Sequence, residues 1–259
     1  MFFVAHRRRR RNGPVPNAIL RLFFVALLTL AWVRTANAQD LSPWLKLERP
    51  GHFSLRIFTS GYGAEQYAAT HGGFELTQSV THDISAIARL SAYQIYKGTG
   101  FDSPLTPSPH SPVRNFGRFE GGLSLTPIQG TTFVLLGGED VGDSDAPVFE
   151  NDFSSWLWLQ SRHPLNIAYS SSHYFQNGVT NGLIDLRTVA LSTGRWMLLL
   201  GAGGAIWGGG SVGQAKGQGG PDVGIFIRQW HASVDLQAGY GSSRTYGTVS
   251  VTRSFGWDE

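Results

Sequence analysis

Twelve segments in which residue types alternate follow one another from His52 to the end of this 259-residue chain. The first is HFSLRIFTS, and the last is TYGTVSVTRSFGWDE, where Val249, Val251, Phe255 and Trp257 alternate with hydroxyl-bearing residues. Alternation with a period of two places successive side chains on opposite faces of a β-strand. Short connections with turn residues, such as RHP and TG, indicate hairpins. The sequence therefore predicts an all-β, antiparallel chain.

The connections between these segments also alternate, in length. Those after the even-numbered segments are tight, whereas the clearest long connections follow odd-numbered segments and begin at Lys97, Glu139 and Gly208. Short turns on one side, longer loops on the other and an even strand number are typical of transmembrane β-barrels. We therefore expect residues 52–257 to form an up-and-down transmembrane β-barrel of about twelve strands.

The two faces of the predicted strands differ in polarity. One face is apolar, as in Phe53, Leu55 and Ile57, and this face is expected to meet lipid. The other face carries charges that a water-filled lumen or mutual pairing could accommodate. We expect these charges either to filter solutes or to form a closed network of ion pairs. They are Arg56, Glu75, Arg89, Arg118, Glu120, Asp185, Arg187, Arg228 and Asp235.

Large aromatic residues fall near the predicted strand ends, where the interfacial belts of membrane proteins lie. These predicted interface residues are Trp196, Trp207, Trp230, Phe255 and Trp257. Arg253 shares the lipid-facing parity of the last segment, so we expect it to lie at the rim of the barrel. A soluble periplasmic sandwich or a lipocalin-like binding barrel is the alternative. It would carry the same alternation with the apolar face turned inward.

The first 38 residues differ from the rest. Arg7 to Arg11 precede the apolar run from Phe23 to Trp32, and the small residues Ala36 to Ala38 resemble a cleavage site. These features predict a secretory signal peptide over residues 1–38 and a short periplasmic segment over 39–51. The run is shorter than the about 20 residues of a membrane-spanning helix. A twin-arginine signal is disfavoured, because no hydrophobic pair follows the arginines at the usual distance.

Removal of this segment changes the charge of the chain. It contains seven of the 21 basic residues and no acidic residue. The chain without this segment therefore has 14 basic and 18 acidic residues, a net charge of −4. A nucleic-acid partner is therefore not expected. The chain has no cysteine, which excludes thiolate metal sites and cysteine nucleophiles.

The hairpin rhythm and the ending VSVTRSF resemble those of Gram-negative outer-membrane β-barrel proteins. The resemblance covers roughly Gly51 to Trp257 and implies that the barrel-assembly machinery recognises the last strand, although Asp258 and Glu259 follow the terminal aromatic residue. LRIFTSGYGAEQY and GPDVGIFIRQWHASVDLQAGY are faintly similar to small barrels associated with bacterial cellulose synthesis. Outer-membrane lipid and a polysaccharide or secretion complex are the partners that the resemblance implies.

Two stretches are candidate sites. In YSSSHYFQNG, Ser171 and His173 share a face, as the catalytic serine and histidine of outer-membrane lipid hydrolases do, but in the reverse order. In the predicted acidic loop after Glu139, Asp140, Asp143 and Asp145 are closely spaced carboxylates that could bind Ca²⁺, although the EF-hand order is absent. A polar strand end and a solvated loop are the simpler interpretations. No cofactor is expected.

The sequence therefore predicts a non-enzymatic outer-membrane barrel, exported through the general secretory route. It would act as a narrow channel or as an accessory of an envelope or exopolysaccharide export system. A lipid hydrolase centred on His173 is the alternative from another functional class.

Overall fold

The computed structural model describes residues 52–64, 68–97, 115–128, 130–142, 147–157, 164–175, 178–209, 215–242 and 244–257. The predicted signal peptide and the segment 39–51 lie outside the described residues, as do Asp143 and Asp145. Within the described part of the chain, no helix is long and apolar enough to cross a bilayer.

Twelve antiparallel strands form a single sheet. A 3₁₀ turn, Arg228–Trp230, lies between the tenth and eleventh strands. The strands are β1 Phe53–Ala64, β2 Ala68–Ser79, β3 Ile84–Lys97, β4 Asn115–Ile128, β5 Thr131–Gly142, β6 Pro147–Leu157, β7 Leu165–Tyr174, β8 Val179–Ser192, β9 Trp196–Gly208, β10 Lys216–Ile227, β11 Ala232–Gly241 and β12 Arg244–Trp257.

The sheet closes because the last strand pairs with the first. Phe53 of β1 lies opposite Trp257 of β12, and the register continues to Ala64 opposite Tyr246. Each strand pairs with its two neighbours in sequence, so the barrel has no free edge. The prediction of a closed up-and-down barrel of twelve strands is confirmed, and the sandwich alternative is wrong.

The polarity of the barrel is that of a transmembrane protein. Large apolar side chains lie exposed on the outer face, among them Ile57 and Leu236, whose exposed fractions are 48% and 52%. The interior buries charged side chains, including Arg118, Glu120 and Asp140. A water-soluble barrel would place the apolar face inside, where it is removed from water. An apolar exterior around a charged interior is instead the arrangement found in membrane-spanning barrels.

We call the end of the barrel that holds Phe53 and Trp257 the termini end, and the opposite end the loop end. Two of the three long connections expected at the loop end are shorter than the sequence predicts, because the strands extend further, whereas β3 ends at Lys97 and β4 begins at Asn115 as expected. β5 continues to Gly142 and β6 begins at Pro147, so the expected long loop after Glu139 is wrong. β10 begins at Lys216, inside the expected glycine-rich loop.

Candidate functional site in the barrel interior

Arg89 on β3 is the centre of a cluster of ion pairs on the interior wall. Its guanidinium donates to Glu75 on β2, with Nε 2.9 Å from Oε2, and to Glu150 on β6. Asp152 on β6 lies 3.5 Å from Nη2. Arg56 on β1 donates a further hydrogen bond of 2.8 Å to Glu75. We name these residues, together with Glu120 at 3.7 Å from Arg89, the Arg89 cluster.

Arg118 on β4 lies closer to the loop end and is fully paired. Its Nε donates to Asp140 Oδ1 on β5 at 2.7 Å, and its Nη2 donates to the Tyr174 hydroxyl on β7 at 2.9 Å. The guanidinium also lies over the rings of Tyr93 and Tyr174, at 5.1 and 5.2 Å from their centroids. These contacts tie β3, β4, β5 and β7 together across the interior.

Arg187 on β8 forms the second group of ion pairs, which we name the Arg187 cluster. Its guanidinium lies 2.7 Å from Asp222 on β10, 2.6 Å from Asp235 on β11 and 3.6 Å from Asp185 on its own strand. Gly203 on β9 makes room for this cluster, because a Cβ there would overlap the Asp185 carboxylate. Three carboxylates therefore surround one guanidinium.

A cavity of about 540 Å³ lies in the interior beside the Arg89 cluster. Its wall combines paired ions with many hydroxyl groups and with the amide of Asn181 on β8. Water reaches this level of the interior, because the inward-facing Arg56 side chain is 42% exposed. The cavity therefore lies where a solute could pass through the barrel or bind inside it.

A layer of buried side chains crosses the interior on the loop side of the cavity. In seven of the twelve strand pairs the two members of this layer are offset by two residues from direct register partners, each time towards the termini end. Tilted strands of a closed barrel require such a stagger for residues that lie at one height. Apart from Gly239, every member is buried. The layer, hereafter the closing layer, consists of Tyr62, Ala69, Ile95, Phe116, Asp140, Val148, Tyr174, Val179, Trp207, Gln218, Gly239 and Tyr246.

Contacts within the closing layer join both paired strands and strands that are not neighbours. The Tyr62 hydroxyl on β1 donates to Gln218 Oε1 on β10 at 2.9 Å, and the Tyr62 and Tyr246 rings stack at 6.0 Å. Trp207 is 1% exposed. The interior is therefore constricted at this height by packed aromatic and aliphatic side chains.

Eight of the nine charged residues predicted for the lumen face the interior. The exception is Arg228, which lies in the 3₁₀ turn at the termini end and donates to Ser192 Oγ at 2.8 Å. Its predicted lumenal position is wrong, because β10 ends at Ile227, before this residue. The sequence interpretation missed four interior residues, namely Asp140, Glu150, Asp152 and Asp222. Asp222 could have been identified, because Val223, Ile225 and Ile227 mark the outward face of β10 and Asp222 has the opposite parity.

The aromatic residues predicted at the membrane interface separate into two groups. Trp196 and Phe255 have the outward parity near the termini end, and Trp230 is exposed in the 3₁₀ turn there. Trp207 belongs to the closing layer, so its predicted interfacial position is wrong. Trp196 and Trp207 are eleven residues apart on one strand, and an odd separation places them on opposite faces. The side chain of Trp257 lies outside the described residues.

Arg253 faces outward near the rim of the barrel. It lies opposite Ala232, the first residue of β11, and its guanidinium is 4.5 Å from the centroid of the Phe255 ring. The position agrees with the expectation that a charged side chain of this parity lies at the end of the barrel, where it reaches the interface.

Ser171 and His173 share one face of β7, as the sequence predicts. This face has the outward parity, but Ser171 is buried. His173 Nδ1 is 2.9 Å from the Thr180 hydroxyl on β8, and the His173 ring makes an edge contact with Phe175. Asn151 on β6 lies directly opposite Ser171. Among the described residues, no hydrogen bond joins Ser171 to His173. The two residues therefore share a face without forming a nucleophile–base pair.

Asp140 does not belong to a solvated acidic loop. It is fully buried in β5 and paired with Arg118, so the suggestion that it could bind Ca²⁺ in a loop is wrong. Among the residues that the structure describes, no group of three or more histidine and carboxylate side chains is placed to hold a metal ion.

No family model matches the sequence, and a search of curated proteins gave no match. Solved structures with a similar course of the chain include a KdgM porin, with 8% identity, 77% of this chain and 99% of that chain covered, and a TM-score of 0.47. LpxR from Salmonella typhimurium gives 9% identity, 78% and 99% coverage and a TM-score of 0.47. An outer membrane channel from Pseudomonas putida F1 gives 8% identity, 85% and 100% coverage and a TM-score of 0.45.

These three likenesses are weak in sequence and in superposition. The three proteins are a porin, an outer membrane channel and LpxR, and none of their names refers to cellulose. These likenesses do not assign a function to this chain.

Proposed function

We propose that this chain is a non-enzymatic outer-membrane β-barrel that forms a narrow channel with a preference for cations. The observation that carries the proposal is the closed barrel with an apolar exterior, whose charged interior contains a cavity. A predicted signal peptide, an antiparallel barrel without edges and an even strand number agree with an outer-membrane position. The barrel-assembly machinery and outer-membrane lipid are the partners that this proposal requires.

The charges of the interior support the cation preference. Among the inward-facing side chains that the structure describes, eight carboxylates accompany the guanidinium groups of Arg56, Arg89, Arg118 and Arg187 and the ammonium group of Lys216, which leaves a formal excess of three negative charges. Charged walls in a narrow lumen attract ions of the opposite sign and exclude those of the same sign. The carboxylates are Glu75, Glu120, Asp140, Glu150, Asp152, Asp185, Asp222 and Asp235.

The closing layer supports a narrow passage. Barrels of about 16 strands leave an aqueous channel, whereas barrels of about eight strands are filled by their own side chains. Twelve strands lie between these sizes, and here one layer of buried side chains narrows the interior on the loop side of the cavity. We therefore expect a small conductance and exclusion of large solutes.

Ion conductance in planar lipid bilayers tests the proposal. The refolded barrel should give small single-channel steps, and in a potassium chloride gradient its reversal potential should have the sign of a cation-preferring channel. Asp185→Asn, on the cavity wall, should move that potential towards zero, whereas Glu139→Gln, on the outward face, should leave it unchanged. An anion preference in the unchanged protein would contradict the proposal.

A bilayer without current would favour the other non-enzymatic role, that of an accessory in envelope or exopolysaccharide export. The genes beside this one provide a second test of that role. A neighbouring polysaccharide synthase gene would support it, and neighbours unrelated to the envelope would count against it.

A lipid hydrolase is the second candidate function. Ser171, His173 and Asn151 share the outward parity of two paired strands, which is the observation in its favour, but Ser171 is buried. The hydrogen bond between His173 Nδ1 and Thr180 occupies the nitrogen that an orienting side chain would use. We therefore keep the channel as the proposed function.

A further inference from the structure

We propose that the cavity beside the Arg89 cluster is a binding site for a small, neutral, polyhydroxylated solute such as a disaccharide. The inference rests on the proposed function, because it names the class of solute that a channel of this kind would hold. It starts from two polar side chains on opposite walls of the cavity, Ser91 on β3 and Asn181 on β8.

Both side chains are buried without a hydrogen-bond partner among the described residues. Ser91 is 3% exposed and its hydroxyl is unpaired, while Asn181 is 4% exposed and both its amide nitrogen and its amide oxygen are unpaired. A buried polar group without a partner destabilises the folded protein, because it has lost its hydrogen bonds to water. A bound solute or water that supplies the missing partners removes this destabilisation.

The charged groups of the cavity wall do not favour an anionic ligand. Arg56 and Arg89 pair with Glu75, and Arg118 pairs with Asp140, so each cavity guanidinium already has a carboxylate partner. An anionic solute would have to displace one of these carboxylates. This displacement would leave a buried carboxylate without its counter-charge.

The aromatic rings of the wall are also occupied. Arg56 lies over Phe58 at 5.7 Å, and Arg118 lies over Tyr93 and Tyr174. An organic cation would therefore find these ring faces covered. The groups that remain are hydroxyls, which donate and accept hydrogen bonds as the hydroxyls of a sugar do. They include Ser91, Ser250 and Thr252.

The size of the cavity agrees with this ligand class. Its volume of about 540 Å³ lies within the roughly 300–1,000 Å³ of small-molecule sites. The closing layer bounds the cavity on the loop side, so a solute would be held there rather than pass freely. Binding at this position requires no covalent step.

Equilibrium binding to the folded barrel in detergent micelles tests the inference without any measurement of current. Calorimetric titration with maltose should give saturable binding, while lactobionate and putrescine, as anionic and cationic probes, should bind at least tenfold more weakly. Ser91→Ala and Asn181→Leu should each weaken maltose binding about five- to tenfold, the loss expected for one or two hydrogen bonds. Asn151→Leu, the same change on the outward face, should have no effect.

The shift in electrophoretic mobility on heating verifies that each variant is folded. Ser91→Ala removes only one oxygen atom, so it still tests the inference if Asn181→Leu fails to fold. Absence of saturable maltose binding to a barrel that conducts ions would overturn this inference and leave the channel intact. Equal maltose binding by Ser91→Ala and the unchanged protein would also overturn it. Binding to a barrel that gives no current would retain the site and reject the channel.

Discussion

At the scale of single residues, the interior depends on matched charges. Arg118 and Asp140 are 2% and 0% exposed as side chains and form two hydrogen bonds, of 2.7 and 3.3 Å, with each other. Charges this deeply buried are tolerated because each neutralises the other. The removal of one partner is therefore more damaging than the removal of both.

Arg118→Leu is expected to lower the free energy of unfolding by about 3–5 kcal/mol, because it removes the guanidinium that neutralises the buried Asp140 carboxylate. The double variant Arg118→Leu/Asp140→Leu should lose less. Urea-induced unfolding in lipid vesicles, followed by tryptophan fluorescence, measures both values. Arg56→Gln is the control, since its side chain is 42% exposed, and it should cost about 1 kcal/mol or less. A double variant as unstable as the single one would contradict this account.

His173 allows the channel and the hydrolase to be separated at one residue. His173→Ala is expected to leave the acyl chains of phospholipid and lipid A unchanged, because His173 binds Thr180 rather than a nucleophile. Mass spectrometry of the lipids from cells that express either protein measures this. Thr180→Ala is the matched control for loss of the same hydrogen bond. Lipid deacylation that disappears only in His173→Ala would reject the non-enzymatic proposal.

At the scale of the strand, β12 determines whether the sheet can close. Its final residues Phe255 and Trp257 lie opposite Leu55 and Phe53 on β1. A strand that pairs on both sides leaves no backbone groups unsatisfied in lipid. The ending VSVTRSF is also the segment by which the resemblance to outer-membrane barrels implies recognition during assembly.

Deletion of residues 255–259 is therefore expected to abolish membrane assembly. The truncated chain should be absent from the urea-washed membrane fraction and should show no heat-dependent change of mobility on gels. Deletion of Asp258 and Glu259 alone should preserve assembly, because β12 ends at Trp257. Normal insertion of the longer truncation would show that closure between β1 and β12 is dispensable.

At the scale of the whole molecule, the closing layer involves all twelve strands at once. It exists because the registers of the strand pairs bring one inward residue of each strand to the same height. Trp207 on β9 and Tyr62 on β1 are two of its large members, and Tyr62 is hydrogen-bonded to Gln218. The size of the passage is therefore a property of the closed barrel rather than of any strand.

Trp207→Ala is expected to raise the single-channel conductance at least twofold, because it removes a fully buried ring from the closing layer. The double variant with Tyr246→Ala should raise it further. Planar-bilayer recordings at one salt concentration measure the change. Trp196→Ala, on the outward face of the same strand, should have the unchanged conductance. Equal conductance of all these proteins would show that the closing layer does not limit the passage.

The sequence alone determined the strands, their number and the two faces of most of them. Alternation with a period of two is a local property, and twelve repetitions of it indicate a closed sheet that leaves no edge. The same pattern predicted that Arg89, Arg118 and Arg187 share a face. It also contained the odd separation that turns Trp207 away from Trp196.

Only the tertiary structure decided which face is inside, which charges pair and where the interior is filled. The alternation of apolar and polar residues is the same in a strand of a soluble barrel and in a strand of a membrane barrel. The two barrels differ in which of the two faces the closed sheet turns inward. The partners of Arg89 lie on β2, β4 and β6, and those of Arg187 on β8, β10 and β11. Such contacts depend on the registers of several strand pairs together, and no local pattern in the sequence specifies these registers.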